Sequence, residues 1–86
     1  MKIGIAGSLE SNDCLITIQE NETLEVTVTS IVDRFYHDQI VQLITDTLTS
    51  MELTHLKVTC QDKGALDYTI KARLLTALHR MEAMHA

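Results

Sequence analysis

The chain has 86 residues, a formal net charge of −5, no proline, no tryptophan and two cysteines. One acidic domain spanning residues 1–86 is expected, too small to enclose a deep catalytic cleft, and seven Lys and Arg against twelve Asp and Glu leave no basic face for nucleic acid. The few aromatics, Phe35, Tyr36 and Tyr68, provide no platform for stacking bases, no apolar run reaches membrane-spanning length, and the apolar residues after Lys2 are too few for a secretory signal, so a cytoplasmic chain is expected.

Ile3 and Ile5 alternate ahead of a small, polar stretch, AGSLESND at residues 6–13, and predict a short strand. Cys14, Ile16 and Ile18 share one parity, and Leu24, Val26 and Val28 repeat it with Glu25 and Thr27 opposite, so two half-buried strands follow. The tetrapeptide ENET at 20–23 reads as the turn between them. Ser30-Ile31-Val32-Asp33 is a variant of the capping box and opens a helix that carries Tyr36, Ile40, Leu43, Ile44, Leu48 and Met51 at helical spacing, with Arg34 and Asp38 placed to pair on its wet side. Leu56, Val58 and Cys60 alternate again as a fourth strand. QDKGALD at 61–67 breaks the pattern, with Asp62 or Gly64 as the candidate cap of a second helix through Leu66, Ile70, Leu74, Ala77, Leu78 and Met81.

The order is β-β-β-α-β-α, a two-layer α+β sandwich with both helices on the apolar face of the sheet. The third and fourth strands, joined through a helix, are expected to run parallel if they share a sheet. Cys14 and Cys60 both fall in strand alternation and read as reduced core residues.

Little in this pattern carries chemistry. His37, His55, His79 and His85 show neither an HExxH spacing nor a zinc spacing with the cysteines, so no metal site is expected. No serine lies in a nucleophile elbow, the glycines form no phosphate-binding loop, and the carboxylates are dispersed, so no catalytic residue is assigned. Asn21-Glu22-Thr23 matches a glycosylation triplet but lacks the exported context that would use it. On the residues alone, SLESND is a polar turn.

AGSLESND near the start and DKGALDYTIKARL near the end together resemble the signature stretches of the citrate lyase acyl carrier proteins, in matching order and over nearly the whole chain. The resemblance implies a non-catalytic carrier, the γ subunit of the complex. Its serine, Ser11 here, holds a covalent arm of the triphosphoribosyl-dephospho-CoA type, attached as phosphoribosyl-dephospho-CoA through a phosphodiester and absent in the apo form. The arm's thiol holds acetyl and then citryl groups while citrate is cleaved to acetate and oxaloacetate. The implied partners are the α and β subunits and a prosthetic-group transferase, with the isolated chain a monomer. Ser8 stands where the family more often has Thr, and Asn12 where it has Gly, so a second hydroxyl lies near the first. Glu10 and Asp13 flank Ser11 with negative charge, which is expected to repel the arm's phosphates from the domain. The carrier subunit of malonate decarboxylase uses the same kind of arm; GALD and LES favour citrate lyase. An unmodified interaction domain is the reading from a different class.

Overall fold

The computed structural model describes residues 2–31 and 34–83. The elements follow the expected order: β1 (Ile3–Gly7), β2 (Cys14–Glu20), β3 (Glu25–Ser30), α1 (Arg34–Ser50), β4 (Leu56–Asp62) and α2 (Asp67–Ala83). Val32 and Asp33 of the expected capping box lie outside the described residues.

The strands form one sheet in the order β1-β2-β4-β3. β2 is antiparallel to both neighbours, and β3 runs parallel to β4, as a connection through α1 requires. ENET is a turn, but it does not close a hairpin, because β4 inserts between the two strands it joins. The Asn21 N–H donates to the His55 carbonyl at 3.1 Å as the chain passes the start of β4, and the Asn21 side-chain amide donates to the Thr23 carbonyl.

Period-two alternation sends Cys14, Ile16 and Ile18 of β2 and Leu56, Val58 and Cys60 of β4 to one side, where both helices cover them. Ile44 and Leu48 of α1 and Ile70 and Leu74 of α2 complete the fully buried centre. Each such aliphatic side chain contributes roughly 1.5–3 kcal/mol by leaving water, so this small set supplies most of the drive to fold. Tyr36 and Met51, at the ends of the α1 pattern, stay exposed. The expected Arg34–Asp38 pair is absent among the described residues; Asp38 faces Nδ1 of His37, whose Nε2 donates to the Val28 carbonyl at 2.8 Å and ties α1 to β3.

The end of α1 is set by hydrogen bonding. The Leu53 N–H returns to the Leu48 carbonyl, the Glu52 N–H returns to Thr49, and Glu52 takes φ 60°. This is a Schellman ending, closed by Leu53 packing on the core.

β1 departs from expectation. The strand forms, but Ile3 and Ile5 are 36% and 47% exposed on the open face, and the buried side of the strand is Gly4 and Ala6. The reason is the approach of α2. A Cβ on Gly4 would lie 1.8 Å from the Ala77 carbonyl oxygen and 2.6 Å from the Met81 nitrogen. With no room for an isoleucine on that side, the register places the large residues outward. The Arg80 guanidinium reinforces the contact by donating to the Ile5 carbonyl at 2.8 Å.

Gly4→Ala is therefore expected to destabilise the chain by about 3 kcal/mol, because neither backbone can yield without moving the whole helix. That is a large share of the roughly 4–13 kcal/mol typical of a chain this long. Urea unfolding followed by circular dichroism checks it; a change within 0.5 kcal/mol, the usual scatter of a surface substitution at about that size, would contradict the packing.

Candidate functional site

The two sequence stretches singled out above come together at one end of the sheet. β1 ends at Gly7 and β2 begins at Cys14, and the residues between them form a turn. The Asn12 N–H donates to the Lys63 carbonyl and the Lys63 N–H donates to the Asp13 carbonyl, both at 2.8 Å. These bonds extend the β2–β4 ladder one step past Cys14 and Asp62. They hold the first turn against the loop that leads into α2.

Within the turn the two serines differ in their bonding. The Ser8 N–H donates to the Cys14 carbonyl, the Ser8 hydroxyl donates to Oδ2 of Asp13 at 2.8 Å, and the same hydroxyl oxygen accepts the Glu10 N–H. Ser11 is exposed, and among the described residues its hydroxyl has no hydrogen-bond partner. Asn12 beside it adopts φ 65°, a left-handed conformation that asparagine tolerates.

Asp13 is the fastener of this turn. Its Oδ1 accepts the Cys14 N–H at 2.7 Å and Nε of Arg73 at 3.0 Å; its Oδ2 accepts the Ser8 hydroxyl and, at 3.3 Å, the Arg73 NH2. The Arg73 fork, the Ser8 hydroxyl and the Cys14 N–H hold the Asp13 carboxyl down at about 2. Asp13 in turn raises the Arg73 guanidinium above its ordinary range. Its negative charge is thus matched within the fold. This corrects the expectation that Asp13 joins Glu10 in repelling an attached group. Arg73 was missed because nothing in its spacing links it to a carboxylate sixty positions earlier; only the fold joins them.

The second stretch is built on Asp62. It is 2% exposed, with Oδ2 accepting the Ser30 hydroxyl and Oδ1 accepting the Ala65 N–H. Neither Asp62 nor Gly64 caps α2, as had been expected. Asp62 closes the preceding loop, and the helix starts from the Leu66 carbonyl, which accepts the N–H groups of Thr69 and Ile70. Gly64 has φ 95° and faces Asn12: a Cβ there would sit 3.5 Å from the Asn12 side-chain oxygen, which is ordinary contact. The space is adequate, and the backbone angle alone calls for glycine. Beside this loop a cavity of about 190 Å³ opens between it and α1, lined by Tyr36, Gln39 and Ile40 on one wall and by Asp62 and Gly64 to Asp67 on the other.

The described residues hold no group of three or more His, Cys, Asp or Glu arranged for a metal ion. His55 and His79 are exposed, and His85 lies outside the described residues. Cys14 and Cys60 are free, buried neighbours. The Cys60 thiol donates toward Cys14, and this together with burial pushes it up, so it is not poised as a nucleophile.

Two outcomes follow from this geometry. Gly64→Ala should cost about 1–2 kcal/mol through backbone strain alone, read by urea unfolding; a neutral result would contradict the positive φ. Asp13 has a folded pKa of about 2 against an ordinary 3.8, so its contribution to stability is present above the unfolded value and is lost as pH falls through the folded one. The melting temperature should therefore drop between about pH 5 and about pH 2 by more in the parent chain than in Asp13→Asn. Parallel acid profiles would show that the Arg73 pair contributes nothing.

Comparison with known proteins gives the family and the fold. Residues 1–81 match the family model described as malonate decarboxylase delta subunit. The citrate lyase acyl carrier protein of Oenococcus oeni is 48% identical over 80 residues, covering 92% of this chain and 82% of that protein. The Streptococcus pyogenes (strain Manfredo) protein of the same name is 46% identical over 78 residues, covering 88% and 76%. A chain in the crystal structure of a Pseudomonas malonate decarboxylase hetero-tetramer in complex with malonate shares the fold, with a TM-score of 0.77 at 18% identity over 93% of this chain and 84% of that one. The chain belongs to the malonate decarboxylase delta subunit family and, within it, to the citrate lyase acyl carrier proteins, which are carriers and not catalytic subunits.

Proposed function

We propose that the chain carries acyl groups for a cytoplasmic citrate lyase on an arm of the phosphoribosyl-dephospho-CoA type, joined by a phosphodiester to Ser11. The observation that carries this reading is the contrast between the two serines. Ser8 has its hydroxyl engaged on both sides, whereas Ser11 presents an exposed hydroxyl with no partner among the described residues. The surroundings suit the group. The turn is held from behind by Lys63 and Arg73, so a transferase can address its outer side without unfolding it.

When bound, the arm supplies a thiol on which an acyl group is held as a thioester. The chain's own residues present the attachment hydroxyl and keep its loop in one place. No general base or oxyanion hole is needed beside Ser11, because a separate transferase makes the bond and the α and β subunits act on the acyl group. A malonate decarboxylase carrier is the second reading, favoured by the matched family description and the shared fold. The citrate lyase relatives at 46% and 48% identity weigh against it. The acyl group found on the native thiol separates the two.

Ser11→Ala should fold as the parent does and fail to gain the arm when co-expressed with the transferase, and citrate cleavage by the assembled complex should be lost. Ser8→Ala should load normally at a stability cost of about 1 kcal/mol for the missing hydrogen bonds. Intact-mass and tandem mass spectrometry read both variants; the arm mapped to Ser8, or a fully loaded Ser11→Ala, would overturn the assignment.

A further inference from the structure

The cavity between α1 and the 62–67 loop has no part in the attachment chemistry, yet it begins one residue from the attachment turn. Gly64 lines it and follows Lys63, whose carbonyl and N–H are bonded to Asn12 and Asp13. Anything tethered at Ser11 is held at high local concentration over this opening.

Size and charge select what fits. At about 190 Å³ the cavity is smaller than the roughly 300–1,000 Å³ of sites that enclose a drug-sized ligand. A nucleotide is too large for it, and only a slender chain end can enter. The carboxylates of Asp62 and Asp67 lie on one wall, so phosphate is disfavoured electrostatically. The remaining lining is mainly apolar or aromatic, from Ile40, Ala65, Leu66 and the Tyr36 ring, with the Gln39 amide as a neutral hydrogen-bonding group. Tyr36 and Leu66 are 52% and 60% exposed at its edge, large apolar surfaces that gain by being covered.

We propose that this cavity is a docking site for the thiol-bearing end of the arm attached at Ser11, a neutral chain with amide groups, and that the nucleotide portion stays outside it. The inference rests on the carrier reading. In the docked state the thiol lies near carboxylates and away from bulk water, so its thiolate fraction falls and its reaction with electrophiles slows. The carrier then shelters the thiol between visits to its partners and releases it when a partner competes for the chain end.

The test uses the chain loaded by its transferase, with intact mass reporting the loading. The thiol's alkylation rate by iodoacetamide is compared with that of free coenzyme A, and backbone amide shifts are compared with those of the unloaded chain. Cys14 and Cys60 are buried and do not contribute to the signal. The expected result is alkylation at least about fivefold slower than coenzyme A, the effect of a docked population of roughly 80%. The apparent thiol pKa should be higher, and shift changes should reach Tyr36, Gln39 and residues 64–67 as well as the turn. Ala65→Leu, which fills the cavity, should restore the coenzyme A rate. Gln39→Trp, an exposed change on α1, should do the same if the leucine variant does not fold. A loaded chain that reacts like coenzyme A, with shift changes confined to residues 9–13, would overturn the docking alone. A chain that never gains the arm's mass would overturn the carrier reading and the docking with it.

Discussion

The two backbone bonds between Asn12, Asp13 and Lys63 are the constraint on which the candidate site depends. Without them the 8–13 segment is a loop between two strands, and the 62–66 segment is the lead into a helix. With them, the end of the β1–β2 hairpin and the end of β4 form one surface. The Asp13–Arg73 pair then fixes this surface to α2 from behind. Such a bidentate pair, 17% exposed on the carboxylate side, is worth more than an ordinary surface ion pair because it holds fixed geometry and partly excludes water.

Rigidity elsewhere serves the same end. α2 lies so close to β1 that only glycine fits beneath it, and its Arg80 bonds to the β1 backbone. The helix that carries Arg73 is thereby fixed to the strand that leads into the turn. The turn is supported on both sides, by the β4 end through its backbone and by α2 through a side chain. Ser11 is exposed on this turn, and its hydroxyl has no hydrogen-bond partner among the described residues. A post-translational attachment point needs this combination: the position of the hydroxyl is defined by the fold, and its reactivity is left to an enzyme that approaches from outside.

The fold was readable from sequence wherever burial acts on one side of an element. β2 and β4 alternate cleanly because one face meets the helices and the other meets solvent, and α1 and α2 show helical spacing for the same reason. The parallel pairing of β3 and β4 followed from the helix between them. β1 misled because its buried face is made of the smallest residues, and a hydrophobicity pattern scores Ile3 and Ile5 above Gly4 and Ala6 although close packing requires the reverse. The place of β4 between β2 and β3 is non-local, and no turn signal encodes it. Of the site, the polar turn and its two serines were visible. The partner of Asp13 was not, since a pair across sixty positions leaves no trace in periodicity. Asp62 was read as a helix cap because Asp before a helical pattern commonly is one; here its carboxylate is used earlier, by Ser30 and Ala65.

Size explains why carrying, and not catalysis, suits this fold. A chain of 86 residues has one small core, sixteen buried apolar side chains among the described residues, and the buried polar side chain among them, Asp62, has both oxygens occupied in closing a loop. Catalytic groups need to be partly desolvated and held unsatisfied until substrate arrives, which costs stability that so small a core can scarcely supply. A tethered arm avoids the requirement. It raises the local concentration of its cargo at each partner without any buried polar group of its own, and the gain depends on tether length and not on the depth of a pocket. The cavity beside the turn is in keeping with this: at about 190 Å³ it has room for a chain end but not for a whole ligand, so any hold on a chain end would be weak. Weak binding is what a carrier requires, because a chain end held tightly would withhold its cargo from the partners it serves.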